Sequence, residues 1–373
     1  MRIAIDAMGG DLGPRPAVMG AAAVAHANPD LELCLFGPAG LLADEIARLP
    51  RQLAAAAARL RVLNAPTVVQ QWQRPSEVLR HGSDTSMARM LDCVASDEAT
   101  AGVSAGNTGA LMALARRALG TVAGIPRPAI STAIPTRNLG RCYLLDLGAN
   151  VEASAARLVD FALMGEVMAR HVDALVAPRV ALLNVGVEGT KGTTSVRDAD
   201  AWLRRYLPIA YLGYVEGDGI FSGDADVVVC DGFVGNAVLK ASEGMARLLV
   251  ERVQATFDAH WSSRLVGLLA RPALRRLKGE LDPVRYNGAS LLGLAGIVIK
   301  SHGSADATGF QHAVQRAVNE VKHDLPSRLA AELDHARSPV DSTVRGQAES
   351  GSRSSGPIMP GAPGIDNSQQ AQR

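Results

Sequence analysis

The sequence predicts an α/β fold in three layers, with a mostly parallel sheet covered by helices on both faces. Three observations carry this expectation. Short runs of Val, Ile and Leu recur along the chain, each is followed by a longer helical pattern, and glycine-rich loops sit where run passes into helix. Strands buried on both faces read as continuous apolar runs, and their alternation with helices is the pattern of a parallel sheet. In order, the runs are Arg2–Asp6, Leu31–Phe36, Ala101–Ser104, Cys142–Asp146, Val180–Asn184, Asp226–Cys230 and Gly296–Ser301. No repeat of solenoid length competes with this reading.

Composition agrees. The 373 residues are 47% hydrophobic, enough to bury a sizeable core, but only 4% aromatic, so the core rests on Ala, Val, Leu and Ile. A formal net charge of +1 gives no bulk attraction to nucleic acid, which is not expected as a partner. Cys34, Cys93, Cys142 and Cys230 lie far apart among apolar residues and are expected to be inert core thiols in a reducing cytosol. The N-terminal MRIAID reads as a strand, not a signal peptide. The longest uncharged apolar run, Ser290–Ile299, falls far short of the roughly 20 residues that span a bilayer. From Arg337 the chain turns dense in Ser, Gly, Pro and Gln. The expected organisation is a catalytic domain over 1–336 and a disordered tail over 337–373.

The chemistry is expected in four strand-to-helix loops at one edge of the sheet, because open α/β sheets bind ligands outside the carboxyl ends of their strands. The first is Asp6-Ala7-Met8-Gly9-Gly10-Asp11, ahead of a helix that can start at Pro14. The second is Ser104-Ala105-Gly106-Asn107-Thr108-Gly109, whose small polar residues can cap a helix that favours an anion. The third is Asp231-Gly232-Phe233-Val234-Gly235-Asn236, and the fourth Ser301-His302-Gly303-Ser304. Asp146-Leu147-Gly148-Ala149-Asn150 and the segment NVGVEGTKG from Asn184, with Lys191 beside Gly192, add charge and amides. A single loop of this kind is usually a cap and a turn; four together point to a shared anion site. NVGVEGTKG is not a Walker A loop, and GDGIFSG lacks the dinucleotide glycine spacing. No GxSxG elbow appears, and no HExxH or Cys/His cluster argues for zinc.

Together DAMGGD, SAGNTGA, IPRPA (125–129), DLGANV, NVGVEGTKG, VVVCDGFVGN and YNGASLLGLAGIVIKSHGSAD resemble the PlsX family, the phosphate acyltransferases of bacterial phospholipid synthesis. The matches run in order from about Arg2 to about Lys322. The resemblance implies transfer of a long-chain fatty acyl group from acyl carrier protein to inorganic phosphate, the product going to a membrane glycerol-3-phosphate acyltransferase. It also implies a fold like that of isocitrate and isopropylmalate dehydrogenases and of phosphotransacetylase, a homodimer with active sites near the subunit interface, and no metal or nucleotide cofactor. Glu152 and Gly219 depart from the usual family residues.

Phosphate is already an anionic nucleophile, so such a reaction needs desolvation, positioning and oxyanion stabilisation more than a triad. Lys191 is the expected key cation: it can neutralise phosphate, polarise the thioester carbonyl or accept the acyl group. Asp231 and His302 complete the expected catalytic set, with His302 or a carboxylate returning a proton to the thiol. Phosphate-binding positions are expected at Asp6, Gly9, Gly10, Asp11, Ser104, Gly106, Asn107, Thr108, Asp146, Asn150, Gly192, Gly235, Asn236, Asn287, Ser301 and Gly303. A helical hairpin over about 237–280, with Leu265, Val266, Leu268 and Leu269 ringed by Arg264, Arg271, Arg275, Arg276 and Lys278, reads either as a buried dimer contact or as a membrane tip. The resemblance favours the tip, and with it a cytoplasmic protein peripherally bound at the inner face of the membrane.

Overall fold

In a computed structural model of the chain, residues 1–138, 140–258 and 287–334 are described, together with the single positions 266, 270–272 and 274. Part of the hairpin, including Leu265, Leu268 and Leu269, and all of the 337–373 tail lie outside the described residues. Val266 is helical and 57% exposed.

The chain forms one eleven-stranded sheet among the described residues. The first half runs β1 (Arg2–Asp6), α1 (Arg15–Ala27), β2 (Glu32–Gly37), α2 (Ala39–Ala47), β3 (Leu60–Asn64), α3 (Pro75–His81), α4 (Ser86–Ala95), β4 (Ala101–Ser104) and α5 (Thr108–Leu119). The second runs β5 (Ala129–Pro135), β6 (Arg141–Leu145), α6 (Ala155–Val172), β7 (Arg179–Leu183), α7 (Thr194–Tyr206), β8 (Ala210–Val215), α8 (Gly219–Ser222), β9 (Val227–Val229) and α9 (Gly232–Asp258). The chain then returns to the centre as β10 (Ala289–Leu292), β11 (Ile297–Lys300) and α10 (Ala307–Lys322).

The strand order is β3-β2-β1-β4-β11-β10-β5-β6-β9-β7-β8. Successive side chains of each strand enter opposite cores, which makes the three layers. Ile3, Ile5, Leu33 and Leu35 face a core shared with α1 and α10, whereas Ala4, Cys34 and Phe36 face one shared with α4 and α5. Two further cores flank the second half in the same way. All four cysteines are free and buried. Burial raises every thiol, Cys93 to about 11 and Cys142 to about 12. Iodoacetamide at pH 8 should therefore leave the native protein unmodified and add four groups after denaturation, as read by intact mass.

One expectation fails. The pairs β11/β10, β10/β5 and β5/β6 are all antiparallel, and the remaining pairs are parallel. Three reversals are an odd number, so β6, β9 and β7 run opposite to β1, β4 and β11. The glycine loops therefore leave the sheet at two edges, not at one. The reversal was hidden because β5 and β10 do not read as separate strands: AISTAIP mixes Ser, Thr and Pro, and all of β10 but Ala289 falls in the single run Ser290–Ile299. Gly293, at φ +88°, turns the chain there into a hairpin.

Candidate active site

The first edge is organised by Asp6. It lies at the end of β1, fully buried, and its carboxylate accepts Ser86 Oγ and Ser104 Oγ at 2.7 Å each and Met8 N at 3.2 Å. Ser104 Oγ in turn accepts Gly106 N at 3.0 Å, so one carboxylate sets the course of two loops. Burial raises the Asp6 carboxyl above its usual range, against the opposing hydrogen bonds. Gly9 must be glycine: a Cβ there would stand 2.5 Å from Gly106 N and 2.7 Å from Asp6 Oδ2.

The fourth loop docks on the same cluster. Ser301 N donates to Ser104 O at 2.8 Å, and Asp11 N donates to Gly303 O at 2.8 Å. Asn287 ties this loop to α10 by donating to Ser301 Oγ and Gly309 O and accepting His302 N. His302 Nδ1 lies 3.2 Å from Ser304 N, an N–H donor, which leaves the ring proton on Nε2. Burial lowers the His302 pKa, so the neutral form prevails near pH 7. Asn107 caps α5 by accepting Ala110 N, while its amide holds Gln71 O and Gln73 O. Beyond that cap the first-turn N–H groups of Thr108 and Gly109 have no intrahelical partner. Gly10 packs over Gly303 O.

The second edge gathers the remaining positions. Buried Asp146 accepts N–H groups of Ile130, Leu147, Ala149 and Asn150, and the Asn150 amide. Asp231 caps α9 through Val234 N at 2.8 Å, and Gly235 packs against Asp146 O, where no Cβ fits. Asn236 lies beside Gly148. Lys191 is exposed in the loop after β7, where Asn184 Nδ2 holds its carbonyl, and Gly192 packs on Asn184. No carboxylate is ion-paired with Lys191 among the described residues. The structure thus brings Asp6, Gly9, Gly10, Asp11, Ser104, Gly106, Asn107, Thr108, Asn287, Ser301, His302 and Gly303 together. It sets Lys191, Gly192, Asp146, Asn150, Asp231, Gly235 and Asn236 apart from them. Helix α9 starts at this second edge and runs back to the first, where Lys240 and Glu243 act electrostatically on His302.

Sequence reasoning missed Ser86, Gln71, Lys300 and Lys240. Ser86 and Gln71 sit in segments without a motif. Lys300 stands inside the quoted IVIKSHG and carried a signal that went unused: a lysine closing an apolar strand. Among the described residues no three His, Cys, Asp or Glu are placed to hold a metal, and no helix is long and apolar enough to cross a membrane.

The fatty acid synthesis protein family matches residues 1–328. A phosphate acyltransferase of Pseudomonas syringae pv. tomato is 54% identical over 332 residues, covering 89% of this chain and 96% of that protein. One from Pseudomonas paraeruginosa is 52% identical over 336 residues, with 89% and 98% covered. Among solved structures, a phosphotransacetylase from Streptococcus pyogenes superposes with a TM-score of 0.56 at 18% identity, covering 86% of this chain and 94% of that one. A branched-chain phosphotransacylase from Enterococcus faecalis gives 0.54 at 13%, covering 87% and 99%. At those identities the likeness is one of fold.

Proposed function

The chain belongs to the fatty acid synthesis protein family of phosphate acyltransferases, and from that premise we propose the long-chain acyl group of acyl carrier protein as its donor and inorganic phosphate as its acceptor. The acyl phosphate formed would serve a membrane glycerol-3-phosphate acyltransferase in phospholipid synthesis. The observation that carries this reading is the Asp6-centred cluster, which brings three glycine-rich loops and an open helix start to one edge. A phosphate oxygen held there attacks the thioester carbon; the new C–O bond replaces the C–S bond, and the thiolate departs. His302, neutral with its N–H on Nε2, is assigned the hydrogen bond to the departing sulfur, whose proton comes from the hydrogen phosphate as that is acylated. The carboxylates order loop amides and do not themselves meet the anion.

The reading includes a homodimer and a peripheral contact with the inner face of the membrane. Met245, Leu248 and Leu249, exposed on α9, support an apolar contact of either kind. The likeness in fold to phosphotransacetylases keeps an acyl-coenzyme A donor as the second reading. Incubating the purified protein with phosphate and either palmitoyl-acyl carrier protein or palmitoyl-coenzyme A separates the two. Acyl phosphate from the first donor alone is expected, and turnover of the second alone would reverse the assignment. In the same assay, a folded Lys191→Ala variant with near-wild-type turnover would remove Lys191 from the mechanism.

A further inference from the structure

Two lysines outside the glycine motifs bear on the first edge, Lys300 by hydrogen bonds and Lys240 by its charge. Lys300 closes β11 with its ammonium drawn under the loops, where Nζ donates to Ala105 O at 3.2 Å and to Ser301 O. Two of its three N–H groups are thereby committed. Lys240 arrives from the other half of the molecule, about two turns into α9. Its side chain is 52% exposed and pairs with Glu243 at 2.9 Å.

The two lysines repel one another, and each disfavours the charged form of His302. Burial is the largest cause in holding Lys300 down at about 8, Lys240 presses it lower, and Asp11 and Asp6 oppose. Burial also lowers His302, with Lys240 and Lys300 adding to the effect and Glu243 and Asp11 opposing it. Basic groups converging from two elements on one polar edge are costly in the empty protein, and an anion among them removes that cost. Lys191, at the other edge, has no part in this convergence.

We propose that Lys240 and Lys300 form the cationic wall of the phosphate site, Lys240 touching the phosphate and Lys300 positioning the loops behind it. This rests on the reading of the chain as an enzyme that uses inorganic phosphate. It moves the key cation from Lys191 to α9. The pairing with Glu243 holds Lys240 over the loops until the dianion competes for it.

The test uses the full chain carrying Lys240→Gln, with Lys240→Arg as the conservative variant and Lys322→Gln, an exposed site on α10, as the control. At saturating acyl donor, Lys240→Gln should raise the phosphate KM roughly 10-fold or more, the effect of losing one charge-assisted contact. Lys240→Arg should recover most of the loss, and kcat should change less than KM. The alkaline limb of kcat/KM should move to higher pH in Lys240→Gln, because Lys300 loses a repelling neighbour and keeps its proton longer. Calorimetric titration with inorganic phosphate alone should weaken by the same factor. An active Lys240→Gln enzyme with unchanged phosphate KM and an unmoved alkaline limb overturns the proposal. Weakened phosphate binding in a chain that makes no acyl phosphate would instead uphold the wall and overturn the reading of the reaction.

Discussion

Replacing Asp6 by alanine should lower acyl phosphate formation by roughly 100-fold, the scale expected when reacting groups slip by about an ångström. Asp6 is the buried carboxylate on which two loops of the first edge are hung. Its two oxygens hold Ser86, Ser104 and Met8, and through Ser104 they fix Gly106, against which Gly9 closes. Alanine removes the acceptor and leaves two buried hydroxyls to find new partners. Asp6→Asn separates position from charge. Burial raises the Asp6 carboxyl above the value near 3.9 of an unfolded chain. Folding therefore disfavours the ionised form: the stability that this group contributes is complete below about pH 4 and is lost as pH rises through its folded value. Asparagine, neutral throughout, escapes that loss. The Asn variant should be at least as stable as wild type at pH 7 in urea melts and still be slow, because an amide cannot accept both hydroxyls as a carboxylate does. If Asp6→Asn retains wild-type turnover, the loops do not depend on the carboxylate.

How far this site was legible in the sequence follows from what each signal encodes. A strand end followed by glycine marks a place where backbone must pass close to something, and at Gly9, Gly106 and Gly303 the close neighbours are Gly106, Met87 and Asp11. What glycine does not encode is the direction in which its strand runs. The antiparallel strand β5 carries Ser131, Thr132 and Pro135 and lacks the apolar run by which parallel strands are read, while β10 merges with β11 into one apolar run. Without them the sheet cannot be seen to reverse, and Asp146, Asp231 and Lys191 seem to share an edge with Asp6. Lys240 was invisible for another reason. Its role depends on a helix that begins at one edge and ends its second turn at the other, and helical periodicity says nothing of that destination.

The joint at which the sheet reverses yields the second large effect, on stability. Arg316 on α10 is almost wholly buried, and Nε donates to Glu320 at 2.7 Å and to Ser290 Oγ at 3.2 Å. Nη1 donates to Tyr143 Oη at 2.7 Å, Nη2 reaches the Met168 sulfur at 3.0 Å, and the guanidinium lies 5.2 Å from the Tyr143 ring centre. One side chain thus ties β10, β6 and α6 to α10, across the strands where direction changes. Arg316→Ala strands Glu320, only 3% exposed, without its cation, and should cost about 3–5 kcal/mol in urea unfolding. Most of that is the penalty of an unpaired charge, not the worth of the pair. Arg316→Met combined with Glu320→Leu should therefore be markedly more stable than Arg316→Ala alone, although it lacks both charges. Should the double variant lose as much as the single one, the contribution of Arg316 lies in its contacts with Tyr143 and Met168, and the ion pair is incidental to how the two halves of the sheet are joined.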